Sequence, residues 1–79
     1  MDVELRLPKA GDQTDALIVE WLKKVGDSVT LGEPIAEVET SKANMLIESP
    51  ADGIISELVA AEGATVEVGD LLAIISSPS

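Results

Sequence analysis

The sequence lacks several residue types on which common functions depend. It contains neither cysteine nor histidine, which excludes disulfide bonds, thiolate metal sites and the usual imidazole base. Phenylalanine and tyrosine are absent too, and one tryptophan offers no stacking platform for single-stranded nucleic acid. Carboxylates and lysines remain, and no pair of them stands out as an acid and base. We therefore predict no catalytic residue and no metal site.

Positive charge is also scarce. Five lysines and arginines stand against 15 aspartates and glutamates in 79 residues, which gives a net charge of −10. This charge disfavours a phosphate-backbone partner and favours a partner with a basic docking surface. No apolar run approaches a membrane span, and residues 1–4 do not resemble a signal peptide. We expect no nucleic-acid or membrane partner, and a cytoplasmic location or, after loss of a transit peptide, the mitochondrial matrix.

Short alternating segments separated by turn residues fill the chain. Strands are predicted at residues 3–7, 17–22, 29–31, 34–38, 46–50, 54–59, 65–68 and 71–76. The turns between them contain four glycines with a predicted positive φ, namely Gly26, Gly32, Gly63 and Gly69. Strands this short, with a turn signal about every eight to twelve residues, predict an all-β sandwich or flattened barrel.

The second half of the chain repeats the first at a shift of 37 residues. Residues 18–40 then align with residues 55–77, and six of the 23 pairs are identical. One copy cannot bury its apolar face alone, so the two copies are expected to pair. The prediction is two four-stranded antiparallel sheets related by a quasi-two-fold axis.

A single lysine lies in the predicted turn between the strands at 34–38 and 46–50. Small and polar residues, from Thr40 to Asn44, suit a tight turn around Lys42. A loop lysine is ordinarily just a solvated side chain. Here, however, the hairpin is central in the chain, and in the repeat the equivalent strand runs to the C-terminus. Lys42 and the C-terminus are therefore predicted at opposite ends of the domain.

Two large apolar side chains are predicted to lie in different environments. Trp21 aligns with Leu58 in the repeat and is predicted in the core. Leu46 falls on the outward side of its strand, next to the lysine turn. It is either a singly exposed leucine, which needs no explanation, or a contact for a partner.

The chain resembles a lipoyl domain of the biotinyl/lipoyl carrier family over essentially its whole length. The matching pieces, in order and spacing, are Pro8, VEWLKKVGDSV at 19–29, Gly32, EVETSKA at 37–43 and SPADG at 49–53. The resemblance implies that residues 1–76 form a lipoyl-binding domain and that residues 77–79 are the start of a linker or simply the end of the chain. It also implies that Lys42 carries lipoate in amide linkage.

The same resemblance implies a swinging-arm carrier, not itself catalytic, from the acyltransferase component of a 2-oxo acid dehydrogenase complex. The implied partners are a lipoate ligase or lipoyl transferase, a 2-oxo acid decarboxylase, the acyltransferase core and dihydrolipoamide dehydrogenase. The isolated domain is expected to be monomeric. The sequence leaves open which 2-oxo acid is served.

Recognition by these partners is expected to involve the hairpin and the first loop, residues 9–15, which has no counterpart of equal length in the repeat. Lipoyl domains similar to this one use that loop in partner selection. The expected recognition residues are Glu39, Thr40, Ser41, Ala43, Leu46, Gly11 and Asp12. Ser41 departs from the family pattern, which usually has Asp before the lysine, and this puts the affinity for the modifying enzyme in question.

Two alternatives share the fold. A biotin carboxyl carrier domain has its lysine at the same hairpin, but in a Met-Lys-Met setting that Ser41 and Ala43 do not match. An unmodified structural module, such as an adaptor hairpin, would not require the match at residues 39–43.

Overall fold

The computed structural model describes residues 1–9 and 11–78 of the chain. These residues contain eight β-strands joined by turns and loops, and no helix. The strands are β1 (Asp2–Arg6), β2 (Asp15–Trp21), β3 (Ser28–Val29), β4 (Pro34–Glu39), β5 (Asn44–Glu48), β6 (Gly53–Leu58), β7 (Thr65–Glu67) and β8 (Leu71–Ser76). Every predicted strand is present, with ends that differ by at most two residues. Over the described residues, nothing forms a helix long and apolar enough to cross a membrane.

The strands form two antiparallel sheets of four strands each. Sheet A has the order β1-β8-β6-β3, and sheet B has the order β5-β4-β2-β7. In the repeat, β1, β8, β6 and β3 of sheet A correspond to β5, β4, β2 and β7 of sheet B. The two sheets therefore have the same strand order. The predicted quasi-two-fold arrangement is therefore confirmed, and the sheets pack as a sandwich rather than closing into a barrel.

Backbone hydrogen bonds at two turns interlock the halves. The N–H of Gly26 donates to the carbonyl of Ile55, and the N–H of Gly63 donates to the carbonyl of Ile18, both at 2.8 Å. Gly26 has φ 95° and Gly63 has φ 86°, a region that glycine enters without a Cβ clash. Each half therefore holds the central strand of the other half through its own turn. The φ prediction is confirmed for all four turn glycines.

The core uses the same positions in both halves. Ten of its buried apolar residues form five pairs at the 37-residue shift: Ile18/Ile55, Val29/Val66, Ile35/Leu72, Ala36/Ala73 and Val38/Ile75. Fully burying a large aliphatic side chain contributes roughly 1.5–3 kcal/mol, so this repeated set supplies most of the driving force. Ile35 and Ala36 are both buried although they are consecutive, because the register with β5 shifts between Pro34 and Ala36.

Trp21 lies at the margin of the core, so the predicted core position holds only in part. The side chain packs against the buried cluster but keeps some exposure. Its Nε1 donates to the carbonyl of Ala60 at 2.8 Å. An indole N–H needs such a partner when it leaves water, which favours the edge of the core over its centre.

The strand register separates the β4–β5 turn from the end of β8. Glu39, which precedes the turn, pairs with Leu17 at the start of β2. The turn that follows β2 lies at the opposite end of that strand, and there the N–H of Gly26 donates to the carbonyl of Ile55. Ile55 in turn pairs with Ile75, near the end of β8. The hairpin and the end of β8 therefore lie at opposite ends of the sandwich, as the repeat predicts.

Candidate functional site

One side chain organises the turn that holds Lys42. The N–H and the hydroxyl of Thr40 both donate to the carbonyl of Ala43, at 3.0 and 2.8 Å. The Oγ1 of Thr40 also accepts the backbone N–H groups of Lys42 and Ala43, at 3.2 and 3.1 Å. This arrangement, in which a threonine hydroxyl takes the place of a backbone group, fixes the direction in which the chain presents Lys42.

Ser41 lies outside this network. It is exposed, and no side-chain hydrogen bond involving it occurs among the described residues. The turn therefore does not depend on the side chain that precedes the lysine. Replacing the Ser41 side chain should therefore leave the turn intact.

The Lys42 amine contacts the first loop. Its Nζ donates to Oδ1 of Asp12 at 2.7 Å, and the two side chains are 74% and 82% exposed. The hydrogen bond from Lys42 lowers the pKa of Asp12 below its ordinary value of 3.8. Because both groups are solvated, the pair holds the loop only weakly. The predicted proximity of the first loop to Lys42 is nonetheless present.

A groove of about 370 Å³ separates the loop from the hairpin, and we call it the hairpin groove. It is lined by Asp12, Gln13, Thr14, Asp15, Thr40, Ser41, Lys42, Ala43 and Met45. Five of the eight predicted site residues therefore meet here: Asp12, Thr40, Ser41, Lys42 and Ala43. Gly11, with φ 62°, precedes this stretch of the loop without lining the groove. Sequence reasoning did not single out the other four lining residues as site residues, because no sequence pattern signals which side of a loop or strand faces a turn; they are Gln13, Thr14, Asp15 and Met45.

The remaining predicted residues, Glu39 and Leu46, lie on strands of sheet B. Leu46 is 52% exposed on the edge strand β5, opposite Glu37 of β4. The strands of sheet B carry no basic residue and six carboxylates, those of Asp15, Glu20, Glu37, Glu39, Glu48 and Glu67. None of these six takes part in an ion pair within the described residues. Leu46 therefore stands in an acidic surface with no internal neutralisation.

The two-fold relation makes the exposure of Leu46 more informative. The strands β1 and β5 correspond, so Leu46 takes the place of Glu4 and Glu48 takes the place of Arg6. On β1, Arg6 and Glu4 form an ion pair at 2.9 Å. The two corresponding positions on the edge of sheet A are therefore ion-paired with each other, whereas those on the edge of sheet B are an exposed leucine and an unpaired carboxylate.

The chain is a sandwich of two interlocked sheets with an exposed lysine, Lys42, at a hairpin tip. Within residues 1–9 and 11–78, no set of three acidic side chains is arranged to hold a metal ion. The chain belongs to the biotin and lipoyl attachment family, because the family model described as "Biotin-requiring enzyme" matches residues 3–75. The predicted family membership is confirmed.

Relatives and a solved structure lie on the lipoyl side of this family. The chain is 46% identical over 77 residues to the dihydrolipoyllysine-residue succinyltransferase component of the 2-oxoglutarate dehydrogenase complex of Staphylococcus saprophyticus, covering 96% of this chain and 18% of the relative. It is 43% identical over 76 residues to the dihydrolipoyllysine-residue acetyltransferase component of the pyruvate dehydrogenase complex of Corynebacterium glutamicum, covering 95% and 11%. The chain thus spans less than a fifth of either relative.

The fold comparison agrees. The lipoyl domain of the 2-oxoglutarate dehydrogenase complex of Azotobacter vinelandii superposes with a TM-score of 0.77 at 33% identity, covering 98% of this chain and 99% of that one. The resemblance to a lipoyl domain of an acyltransferase component is therefore confirmed along nearly the whole chain.

Proposed function

We propose that this domain is a lipoyl carrier and that the Nζ of Lys42 forms the amide with lipoate. The observation that carries the proposal is the placement of Lys42, whose side chain is 74% exposed in a turn fixed by Thr40. Amide formation needs a lysine nitrogen that an enzyme can reach in a defined position. Lys23, by contrast, is held at 2.7 Å by Glu33 and its side chain is only 29% exposed.

The chain's own residues have distinct parts in this function. Thr40 presents the lysine backbone, and Lys42 gives up its contact with Asp12 and its positive charge when the amide forms. When bound, lipoate supplies a dithiolane that is reduced as it accepts an acyl group and is reoxidised after the acyl group has passed to coenzyme A. The position of the hairpin, opposite the end of β8, leaves the arm free to reach several active sites at high effective concentration.

The attachment is tested by incubating the unmodified domain with a lipoate ligase, lipoate and ATP, followed by peptide mass spectrometry. We expect one adduct of lipoyl mass, on Lys42. The variant Lys42→Arg should unfold at an unchanged temperature, because an exposed turn side chain contributes little to stability, and should take up no lipoate. An adduct on Lys9, Lys23 or Lys24 would contradict the proposal.

Biotin is the second candidate, because the family model also describes biotin-requiring enzymes. Ser41 and Ala43 flank the lysine where the biotin carriers have methionine, which supports lipoate instead. Protein purified from its own source distinguishes the three outcomes. Detection by anti-lipoate antibody supports the proposal, detection by streptavidin supports a biotin carrier, and an unmodified Lys42 supports a structural module.

The wider setting that we propose is a 2-oxo acid dehydrogenase complex. A lipoate ligase or lipoyl transferase would attach the arm, a 2-oxo acid decarboxylase would load it, the acyltransferase core would unload it, and dihydrolipoamide dehydrogenase would reoxidise it. The relatives are components of complexes for 2-oxoglutarate and for pyruvate. The residues of this chain do not favour one acid over the other, so the proposal is for the reaction class.

Recognition by the decarboxylase is proposed to use the outer face of sheet B. The exposed Leu46 would contact an apolar site, while the surrounding carboxylates would steer a basic surface toward the arm. Ile54 offers a matched control, because it is 50% exposed on sheet A.

The assay is reductive acylation of the lipoylated domain by its decarboxylase at increasing ionic strength. Leu46→Ala should lower kcat/KM about fivefold or more, as expected for a central contact, and Ile54→Ala should not. The wild-type rate should fall as salt rises, because exposed charges are screened. Equal rates for both variants at all salt concentrations would remove sheet B from recognition.

A further inference from the structure

The charge balance of the hairpin groove depends on Lys42 alone. Of the described residues that line the groove, Lys42 is the only cation, whereas Asp12 and Asp15 are both carboxylates. An ion pair at 2.7 Å joins Lys42 to Asp12, and both residues line this groove. Once the Lys42 nitrogen is an amide, the groove contains two carboxylates and no cation. The electrostatic attraction that draws Asp12 toward the hairpin is then lost.

Asp12 also borders a second cavity on the other side of the loop. This cavity of about 360 Å³ is lined by Lys9, Asp12, Gln13, Thr14, Glu67, Val68 and Asp70. Asp12 therefore borders both the hairpin groove, which contains Lys42, and this second cavity. The carboxylates of Glu67 and Asp70 also line this second cavity, so the charged Lys42 is what draws Asp12 toward the hairpin groove.

We propose that Asp12 couples the position of the β1–β2 loop to the charge on Lys42, so that the loop differs between the modified and the unmodified domain. While Lys42 is an ammonium group, Asp12 holds the loop toward the hairpin. When the nitrogen becomes an amide, the Asp12 carboxylate loses its partner and residues 12–14 move away from the hairpin. The proposal rests on the proposed function, because it gives a decarboxylase a means to distinguish domains with a modified Lys42 from unmodified domains of the same fold.

The expected size of this effect follows from the exposure of the pair. An ion pair between two solvated side chains shifts a local equilibrium by no more than about fivefold. The loop therefore changes its populations rather than switching completely. The difference between modified and unmodified protein should also fade in about 1 M salt, where charges are screened beyond about 3 Å.

The test compares backbone amide chemical shifts of residues 12–14 in the unmodified domain with those in two charge-free forms. One form contains Nε-acetyllysine incorporated at position 42, and the other is Lys42→Gln. We expect both to move these amides in the same direction at low salt and the movement to disappear at high salt. Neither form involves lipoate, so the result is independent of which group Lys42 carries in the cell.

Two aspartate variants make the test specific. Asp12→Asn should abolish the shift difference between the ammonium and acetylated forms, whereas Asp15→Asn, which changes a carboxylate of the same groove, should preserve it. Loop amides that are identical in unmodified and acetylated wild type would overturn the proposal, as would a difference that persists in Asp12→Asn. If the loop responds but Lys42 accepts no lipoate, only the proposed function fails.

Discussion

The hydroxyl of Thr40 offers the sharpest test of how the hairpin presents its lysine. Thr40→Val keeps the shape of the side chain but removes one donated bond, to the carbonyl of Ala43, and two accepted bonds, from the N–H groups of Lys42 and Ala43. The backbone bond from Thr40 to Ala43 at 3.0 Å remains, so the strands β4 and β5 should still pair. The substitution therefore loosens the turn without unfolding the domain.

The magnitude follows from the bonds that are lost. A hydrogen bond contributes about 0.5–1.5 kcal/mol net, and water replaces part of it at an exposed turn. We take the loss of all three contacts as about 1 kcal/mol in the free energy of the ordered turn, which is a factor of about five in its population. If the ligase recognises only the ordered turn, kcat/KM for attachment to Lys42 should fall about fivefold.

The assay is the initial rate of lipoylation at subsaturating domain concentration, with thermal unfolding measured in parallel. Thr40→Ser retains the hydroxyl and should restore most of the rate. Ser41→Ala should leave the rate unchanged, because the Ser41 side chain is not bonded to the turn. A Thr40→Val domain that is modified as fast as wild type would refute this reasoning, and so would a Thr40→Ser domain as slow as Thr40→Val.

Two further predictions concern stability. Gly53→Ala should cost about 3 kcal/mol in the free energy of unfolding, because the added Cβ would overlap the carbonyl oxygen of Ser76 in the neighbouring strand. Gly63→Ala should cost only about 1 kcal/mol, because the residue has φ 86° but no atom lies within 4 Å of the added Cβ. Chemical denaturation of the two variants measures both values. The hydrogen bond from Lys23 lowers the pKa of Glu33 below 4.5. Glu33→Gln should therefore be less stable than wild type above pH 4.5, and this difference in stability should vanish as the pH falls through the lowered pKa. Urea titrations at several pH values measure it, and a difference that does not change with pH would contradict the prediction.

The sequence predicted the strands and the core well because both depend on local alternation repeated twice. Ile18 and Ile55, for example, are identical in sequence and both fully buried. Alternation was less informative at Ile35, because the bulge beside Pro34 turns two consecutive residues inward. A bulge is a property of the paired strands, so one strand's sequence does not reveal it.

The candidate site was only partly predictable for a related reason. The exposure of Lys42 follows from a turn in the local sequence, but its contact with Asp12 joins residues 30 positions apart. The organising hydrogen bonds of Thr40 were also missed, although Thr40 itself was expected in the recognition set. A threonine two residues before the exposed lysine, followed by small residues, is compatible with many turns, and only the backbone geometry selects one.

The places where the two-fold symmetry fails are the places where the proposed function lies. The core pairs and turn glycines must agree in both halves, because each half fills the space that the other leaves. The loop bearing Asp12, residues 7–14, is longer than its counterpart, residues 49–52, and Leu46 replaces the ion-paired Glu4. The strands β4 and β8 correspond in the repeat, but only β4 continues into a hairpin, the one that bears Lys42. None of these differences is required for packing, so each is free to serve attachment, loop sensing or docking on one side of the domain.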